Sequence, residues 1–224
     1  MQGAGVLVVD VGGNNIKMMR NADGNRRKTK SRADLTPGAM VEAVRALAHD
    51  WAYDRVTIGV PGAVRGNRMV LEPHNLGMGW IDFDFQGAFD RPMVLVNDAV
   101  MQAVGSYDGD KMLFLGLGTG LGAALVGDHV AVPLEVAHLP YEKPFTFEDC
   151  VGKRGLERLG QKRWEKAVHD VVARLKAATV ADYVVLGGGN TKLLKELPAD
   201  SRPGHNEKAF LGGTRIWQEQ FRVL

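Results

Sequence analysis

Two stretches join apolar runs to glycine-rich turns that carry small polar side chains: Val6 to Lys17, VLVVDVGGNNIK, and Met112 to Val126, MLFLGLGTGLGAALV. Glycine lets a chain turn sharply and brings bare backbone N–H groups up to an anion. Gly12, Gly13 and Asn14 in one stretch, and Gly118, Thr119, Gly120 and Gly122 in the other, are therefore candidate phosphate cradles. Either alone is equally an ordinary turn in a buried sheet. A dinucleotide-binding turn opens an amphipathic helix, whereas Leu121 to Val126 is too short and too uniformly apolar for one, so both stretches read as strand–turn–strand hairpins. Asp10, expected to end the first strand, suits a Mg²⁺ ion or its water shell beside phosphates, or else only satisfies turn amides. Lys17, on the strand leaving the turn, is placed to meet a bound anion.

Four further groups carry polar chemistry. Asn97-Asp98 follows the apolar strand Met93 to Val96 and opens a helical stretch, Ala99 to Tyr107. An acid there is either a helix N-cap or, facing a phosphate cradle at a strand end, a general base. Pro61-Gly62 ends the strand Val56 to Val60, at the carboxyl edge where open α/β sheets place ligands. Asn75, in the polar loop His74 to Gly77 ahead of Trp80, and the pair Glu135 and His138 ahead of Pro140 each read as surface features or as substrate contacts. Gly187, Gly188, Gly189 and Asn190 leave the strand Tyr183 to Leu186 for a helix expected over Thr191 to Leu197, where a flat ring or a phosphate can approach the backbone.

The elements that must hold these groups alternate in type. Thr36 caps a helix that takes Pro37 in its first turn and carries Met40, Val41, Val44, Leu47 and Trp51 at helical spacing. Trp164, Val168, Val171, Val172 and Leu175 mark another helix, and Phe210 to Phe221 closes the chain as a third. Asp23-Gly24 signals a hairpin turn. Five cations follow within Arg26 to Arg32, a run that is either a solvated strand or a track for a polyanion. Inorganic polyphosphate suits such a track better than nucleic acid, since no aromatic residues are interleaved for base stacking. A net charge of +2 over 224 residues does not argue for nucleic acid, and no apolar run reaches the ~20 residues of a membrane span. With no leader-like segment at the N-terminus and a single cysteine, Cys150, the expectation is a cytoplasmic protein in a reducing compartment.

Taken in order, Asp10-x-Gly12-Gly13-x-x-x-Lys17, Pro61-Gly62, Asn75-Leu76, Asn97-Asp98, Gly118-Thr119-Gly120-x-Gly122, Glu135-x-x-His138 and Gly187-Gly188-Gly189 resemble the sugar kinases of the ROK family. Asn75-Leu76 running to Trp80-Ile81, and the stretch Leu117 to Leu125, look most like the polyphosphate glucokinase branch. The resemblance implies an α/β, two-lobed actin-like ATPase (ribonuclease H-like) fold with its active site in the interlobe cleft. The N-terminal lobe would span 1–98, completed by a C-terminal helix at 212–224, and the C-terminal lobe 99–211.

On the same resemblance Asp98 is the catalytic base. Pro61, Gly62, Asn75, Asn97, Glu135, His138 and Glu157 contact a hexose such as glucose. The two hairpin turns with Lys17 hold donor phosphates, Asp10 holds Mg²⁺, and Gly187 to Asn190 face the adenosine of ATP. The donor is ATP or inorganic polyphosphate, and the assembly a homodimer that binds neither nucleic acid nor membrane. Asn14 replaces the threonine usual in the first turn, and Ala137 the glycine usual before the histidine. The family's zinc cluster is reduced to Glu148 to Glu157 with one cysteine, so no zinc is expected. The alternative is a catalytically weak or inactive sensor that binds sugar or nucleotide.

Overall fold

The computed structural model describes residues 5–224. The first sheet is built from β1 (Gly5–Val11), β2 (Asn15–Arg20) and β3 (Arg26–Lys30), then α1 (Pro37–Leu47), β4 (Tyr53–Val60), a small hairpin of β5 (Val64–Arg65) and β6 (Arg68–Met69), α2 (Phe85–Phe89) and β7 (Met93–Asn97). Its order is β3-β2-β1-β4-β7, with β1 to β3 antiparallel and β4 and β7 parallel to β1. The continuous apolar run of β1 follows from burial on both faces. Leu7, Val9 and Val11 join the core under α1, with Met40, Val41 and Val44, while Val6 and Val8 join a second core with Val100, Val104 and Ile216. The Thr36 hydroxyl accepts from Ala39 N at 3.3 Å and Pro37 opens α1, as the sequence implied.

The second half comprises α3 (Asp98–Ser106), β8 (Met112–Leu117), β9 (Leu121–Gly127), β10 (Val130–Leu134), α4 (Phe147–Val151), α5 (Lys153–Leu159), α6 (Gln161–Thr179), β11 (Tyr183–Gly187), β12 (Ser201–Pro203), α7 (Lys208–Gln218) and β13 (Arg222–Val223). These strands form a second sheet in the order β12-β11-β8-β9-β10-β13. Between the sheets, α3 and α7 touch backbone to backbone: a Cβ at Gly105 would lie 1.8 Å from Lys208 O, and one at Gly212 1.8 Å from Met101 O. Thr57 in β4 ties α7 to the first sheet by donating to Gly213 O at 2.8 Å and accepting from Trp217 Nε1 at 2.9 Å. The chain then turns back, and β13 pairs with β10 in the second sheet.

Three expectations are corrected. Asp10 does not end its strand: β1 runs on to Val11, and Asp10 pairs with Lys17 on one side and Gly59 on the other. The helix expected over Thr191 to Leu197 is one 3₁₀ turn, Thr191–Leu193. The amides of Lys195 and Glu196 donate instead to Glu165 of α6, and Pro198 disfavours helix in the residue before it. The closing helix lies at Lys208–Gln218, earlier than Phe210 to Phe221.

Candidate active site

Asn97, not Asp98, caps α3. Its Oδ1 accepts from Ala99 N at 2.8 Å, and its Nδ2 donates to Gly62 O at 2.8 Å, fixing the Pro61-Gly62 turn against the strand end. Asp98 is thereby released from the capping role, although its Oδ1 also lies 2.8 Å from Ala99 N. The residue keeps some exposed surface, but its carboxyl is enclosed by neighbouring atoms. Burial, then the Asp10 carboxylate, push that carboxyl up to about 7; the backbone N–H groups of Ala99 and Asp98 pull it down, and Glu135 adds a smaller push upward. Opposed carboxylates in a low-dielectric site keep one of them close to half-protonated near neutrality.

Asp10 and Asp98 come together where α3 packs on β4 at Gly59. Gly59 pairs with Asp10, and a Cβ on it would lie 3.5 Å from Asp98 Cα and 2.5 Å from Met101 Cε. The first turn of α3 thus packs on β4 at the residue paired with Asp10, and the flexible end of Met101 fills the space over Gly59. Lys17 faces Asp10 across the β1–β2 pair, with Nζ 3.3 Å from Oδ2.

The first turn is open. Gly12 N donates to Asn15 O at 3.0 Å and Asn14 O accepts from Ser31 N at 3.0 Å, but the exposed Gly13 and Asn14 have N–H groups with no partner among the described residues. Asn75 lies over this turn, its Cβ 3.6 Å from where a Gly13 Cβ would be. The second turn is buttressed from behind. Leu121 N donates to Glu148 Oε2 at 3.0 Å, and Lys153 N donates to Gly118 O and Thr119 O at 3.1 and 3.2 Å. A Cβ on Gly120 would meet Glu148 Oε2 at 2.2 Å, and one on Gly122 would meet Ala99 Cβ at 2.9 Å, so this hairpin sits on the first turn of α3 next to Asp98. Thr119 and Gly120 keep N–H groups without partners among the described residues. The third turn docks on the second. Gly188, at φ +86°, would drive a Cβ to 2.3 Å from Leu117 O, and Asn190 donates from N to Leu117 O and from Nδ2 to Gly118 O, at 3.0 and 2.9 Å.

Glu135 follows β10 directly and is near enough to act on Asp98. His138 is exposed in the next turn, and Ala137 between them is buried, its carbonyl accepting from Glu148 N at 2.9 Å. Glu157 stands apart on α5, exposed and 3.7 Å from Lys153, with no hydrogen bond to the other candidates among the described residues. Cys150 is buried, with Sγ 3.5 Å from Arg158 Nη2.

The basic run divides by the pleat. Arg27 points away from Asp10, hydrogen-bonded to Asp50 and stacked 4.2 Å over Trp51, and holds the Asp50 carboxyl well below the usual range. Arg26 pairs with Glu207 and Arg32 with Asp34, at 3.4 and 3.0 Å. Lys28 lies opposite Lys17 and Lys30 opposite Asn15, so both share the face of Asp10, and neither has an ion pair among the described residues. Sequence reasoning missed Gly59, Glu148 and this division of the run. For Gly59 the available signal was a glycine inside an otherwise apolar strand, which marks a close backbone approach.

Residues 6–132, more than half of the chain, match the model of the ROK family. The chain belongs to the ROK family. Its fold is that of ROK proteins of known structure. An inorganic polyphosphate/ATP-glucomannokinase from Arthrobacter sp. strain KM superposes with a TM-score of 0.82 at 20% identity, covering 97% of this chain and 100% of that one. A ROK family glucokinase from Streptomyces griseus, solved with glucose and AMPPNP, gives 0.74 at 14% identity over 96% and 99%. A ROK family transcriptional regulator, a homologue of the E. coli MLC protein, gives 0.65 at 12% over 96% of this chain and 80% of that one. These similarities establish the expected actin-like ATPase fold. No curated protein matches the sequence at a significant level. No helix among the described residues is long and apolar enough to cross a membrane.

Proposed function

We propose that this ROK protein is a hexose kinase that transfers the terminal phosphoryl group of ATP or inorganic polyphosphate to a hydroxyl of a sugar such as glucose. The observation that carries the reading is Asp98: a carboxyl held near neutrality, released from capping by Asn97 and flanked by two turns with unpaired amides. A base poised near the working pH takes the hydroxyl proton as the sugar oxygen attacks phosphorus. The bond to the donor's bridging oxygen breaks, and ADP or a shortened polyphosphate leaves. Such transfer needs mainly alignment and charge neutralisation, which the amides of Gly13, Asn14, Thr119 and Gly120 and the Lys17 ammonium supply.

In this reading Asn97, Glu135, His138 and Asn75, with the Pro61-Gly62 turn, orient the sugar, and Gly187 to Asn190 receive the adenosine of ATP. Glu157 takes part only if lobe closure carries α5 inward. The lobes divide after Asp98, and their closure excludes water from the donor. A hydrated Mg²⁺ fits the donor set, since Asp10 offers a hard carboxylate facing a second one whose proton affinity is raised by burial and then by their repulsion. When bound, the ion neutralises donor phosphates; Asp10 would hold it, through water or directly.

The deciding experiment measures phosphate transfer to a hexose panel, with ATP and with polyphosphate, for the native protein and Asp98→Asn. Transfer by the native protein alone is expected. Sugar binding without transfer by the native protein would assign it as a sensor, and equal transfer by both would remove Asp98 as the base.

A further inference from the structure

β7 ends the order of the first sheet and β13 that of the second, and residues of both edge strands line a cavity of about 460 Å³. Val64, Val100, Pro133, Trp217, Phe221 and Val223 give it apolar walls drawn from both halves of the chain. Asp10, Lys17, Asp98 and the three glycine turns are not part of its lining.

The backbone of β7 shows what kind of group this cavity suits. Val56 N donates to Pro92 O at 3.0 Å, and β4 and β7 run in parallel register. Alternate residues of a strand bond a given parallel neighbour, so Val94 and Val96 turn to β4, while Met93, Leu95 and Asn97 turn their N–H and C=O to the open side. One rung on that side is already filled. Asn67, at the tip of the β5–β6 hairpin, donates from Nδ2 to Met93 O at 3.2 Å and accepts from Leu95 N on Oδ1. Its carboxamide thus does what the N–H and C=O of one residue in a parallel neighbour would do. The next rung is unmade: Leu95 O and Asn97 N have no hydrogen-bond partner among the described residues, although backbone polar groups away from water are nearly always paired. Both residues line the cavity. An antiparallel partner would need the N–H and C=O of a single residue, and Asn67 already holds Leu95 N.

The lining carries one charged side chain, Arg65, which is exposed and has no ion pair among the described residues. Arg68 stands opposite it in the hairpin, so positive charge gathers on that side of the cavity. We propose that the cavity takes an extended peptide segment, one apolar residue of which adds to β7 as a parallel strand while a neighbouring carboxylate meets Arg65. The N–H of that residue would donate to Leu95 O, its C=O would accept from Asn97 N, and its side chain would enter the apolar walls. Strand addition of this kind draws affinity from main-chain bonds and selectivity from side-chain pockets. The volume falls in the range of ligand sites, about 300–1,000 Å³, which suits a short segment and not a folded domain. Such a segment would touch both sheets, through β7 on one side and through Pro133 of β10 and Val223 of β13 on the other.

The test titrates the peptide acetyl-Val-Leu-Glu-amide into the native protein, Arg65→Gln and Lys17→Gln by calorimetry, with circular dichroism confirming folding. Its comparison peptides replace Glu by Gln, or carry one N-methyl group on each residue in turn. The expected result is one site, at which one of the three N-methylations, by removing the donor to Leu95 O, weakens binding about tenfold. Replacing Glu by Gln should weaken it about threefold in the native protein and not at all in Arg65→Gln, and Lys17→Gln should bind within about twofold of the native protein. Absence of binding at millimolar peptide, indifference to all three N-methylations, equal binding of the Glu and Gln peptides by the native protein, or loss in Lys17→Gln would overturn the proposal. A dimer in sedimentation that the peptide dissolves would overturn it too, by giving the cavity to a second copy of this chain.

Discussion

The two glycine hairpins look alike in sequence and are supported in opposite ways. The β1–β2 turn is open, with Gly13 and Asn14 exposed, Asn75 alone above it, and a row of cations running outward from Asp10 through Lys17 to Lys28. The β8–β9 turn is braced on its hidden side by Glu148, Lys153 and Asn190, and it rests on Ala99. A phosphate clamp needs amides that do not move when charge arrives, and preorganised dipoles stabilise charge without reorganisation at the moment of reaction. Under the proposed function the braced turn would meet that need by itself. The open one would depend on side-chain charge.

Both hairpins converge on Asp98, so its loss should break the comparison outright. Asp98→Asn should lower kcat by about 10³-fold, within the range for a general base. In the native protein assayed with Mg²⁺, activity should rise with pH as the buried carboxyl loses its proton, with a midpoint no higher than about 7 because a cation at Asp10 would favour the ionised form. The stability sign is opposite. The folded carboxyl titrates near 7 and an unfolded aspartate near 4, so ionisation opposes folding above pH 7 and the penalty disappears as pH falls towards 4. Asp98→Asn should therefore stabilise the fold at pH 8 by roughly 2 kcal/mol, several degrees in Tm, and by much less at pH 5. Calorimetric scans at the two pH values check this, and a variant less stable than the native protein at pH 8 would refute it.

Glycine replacements rank the three turns. Gly188→Ala forces a Cβ to 2.3 Å from rigid backbone at a positive φ, and should cost about 3 kcal/mol, as strained and overpacked sites do. Gly120→Ala meets the movable end of Glu148 and should cost about 1 kcal/mol, with a donor KM raised more than its kcat is lowered. Gly13→Ala finds only ordinary contact at 3.6 Å and should leave stability within about 0.5 kcal/mol. Denaturant midpoints test the ranking. Equal losses at positions 13 and 120 would mean that the two hairpins are not differently supported.

The brace can be removed directly. Glu148→Ala leaves Leu121 N without its acceptor, a loss of about 1 kcal/mol, and should raise the donor KM several-fold at unchanged stability of the first sheet. Glu148→Gln retains an acceptor oxygen and should restore most of the affinity. Equal behaviour of the two variants would show that the carboxylate's charge, not its contact, is what matters.

What could be read from the sequence follows the range of each interaction. The hairpins, the strands Val56 to Val60 and Tyr183 to Leu186, and the Thr36 cap depend on neighbours a few residues away, and the apolar spacing and glycines declare them. The brace by Glu148 lies 27 residues from the amide it holds, and the fit of Gly59 depends on a helix that begins 39 positions later. No local pattern encodes either. The choice between cap and base at Asn97-Asp98 likewise required knowing that the Asn97 amide spans to Gly62. The same limit explains the misjudged helix after Gly189, whose amides were claimed by Glu165 from another element.

The division of the basic run is the finest of these distinctions and carries the smallest expected effect. Counted along the chain, Arg26, Arg27 and Lys28 are equivalent cations; paired in register, only Lys28 and Lys30 continue the face of Asp10 and Lys17 with no acid of their own. Strands lie about 4.8 Å apart, so Lys17 and Lys28 form a two-step path from the open turn to the sheet edge. An exposed lysine near a polyanion contributes modestly and in a salt-dependent way. Lys28→Gln with Lys30→Gln should raise the KM for long-chain polyphosphate about threefold to tenfold at low salt, and that for ATP by less than twofold. Arg27→Gln, which unties Asp50 and Trp51, should instead affect both donors equally. A double variant that loses ATP and polyphosphate use in the same proportion would leave the open hairpin without a cationic path for polyphosphate.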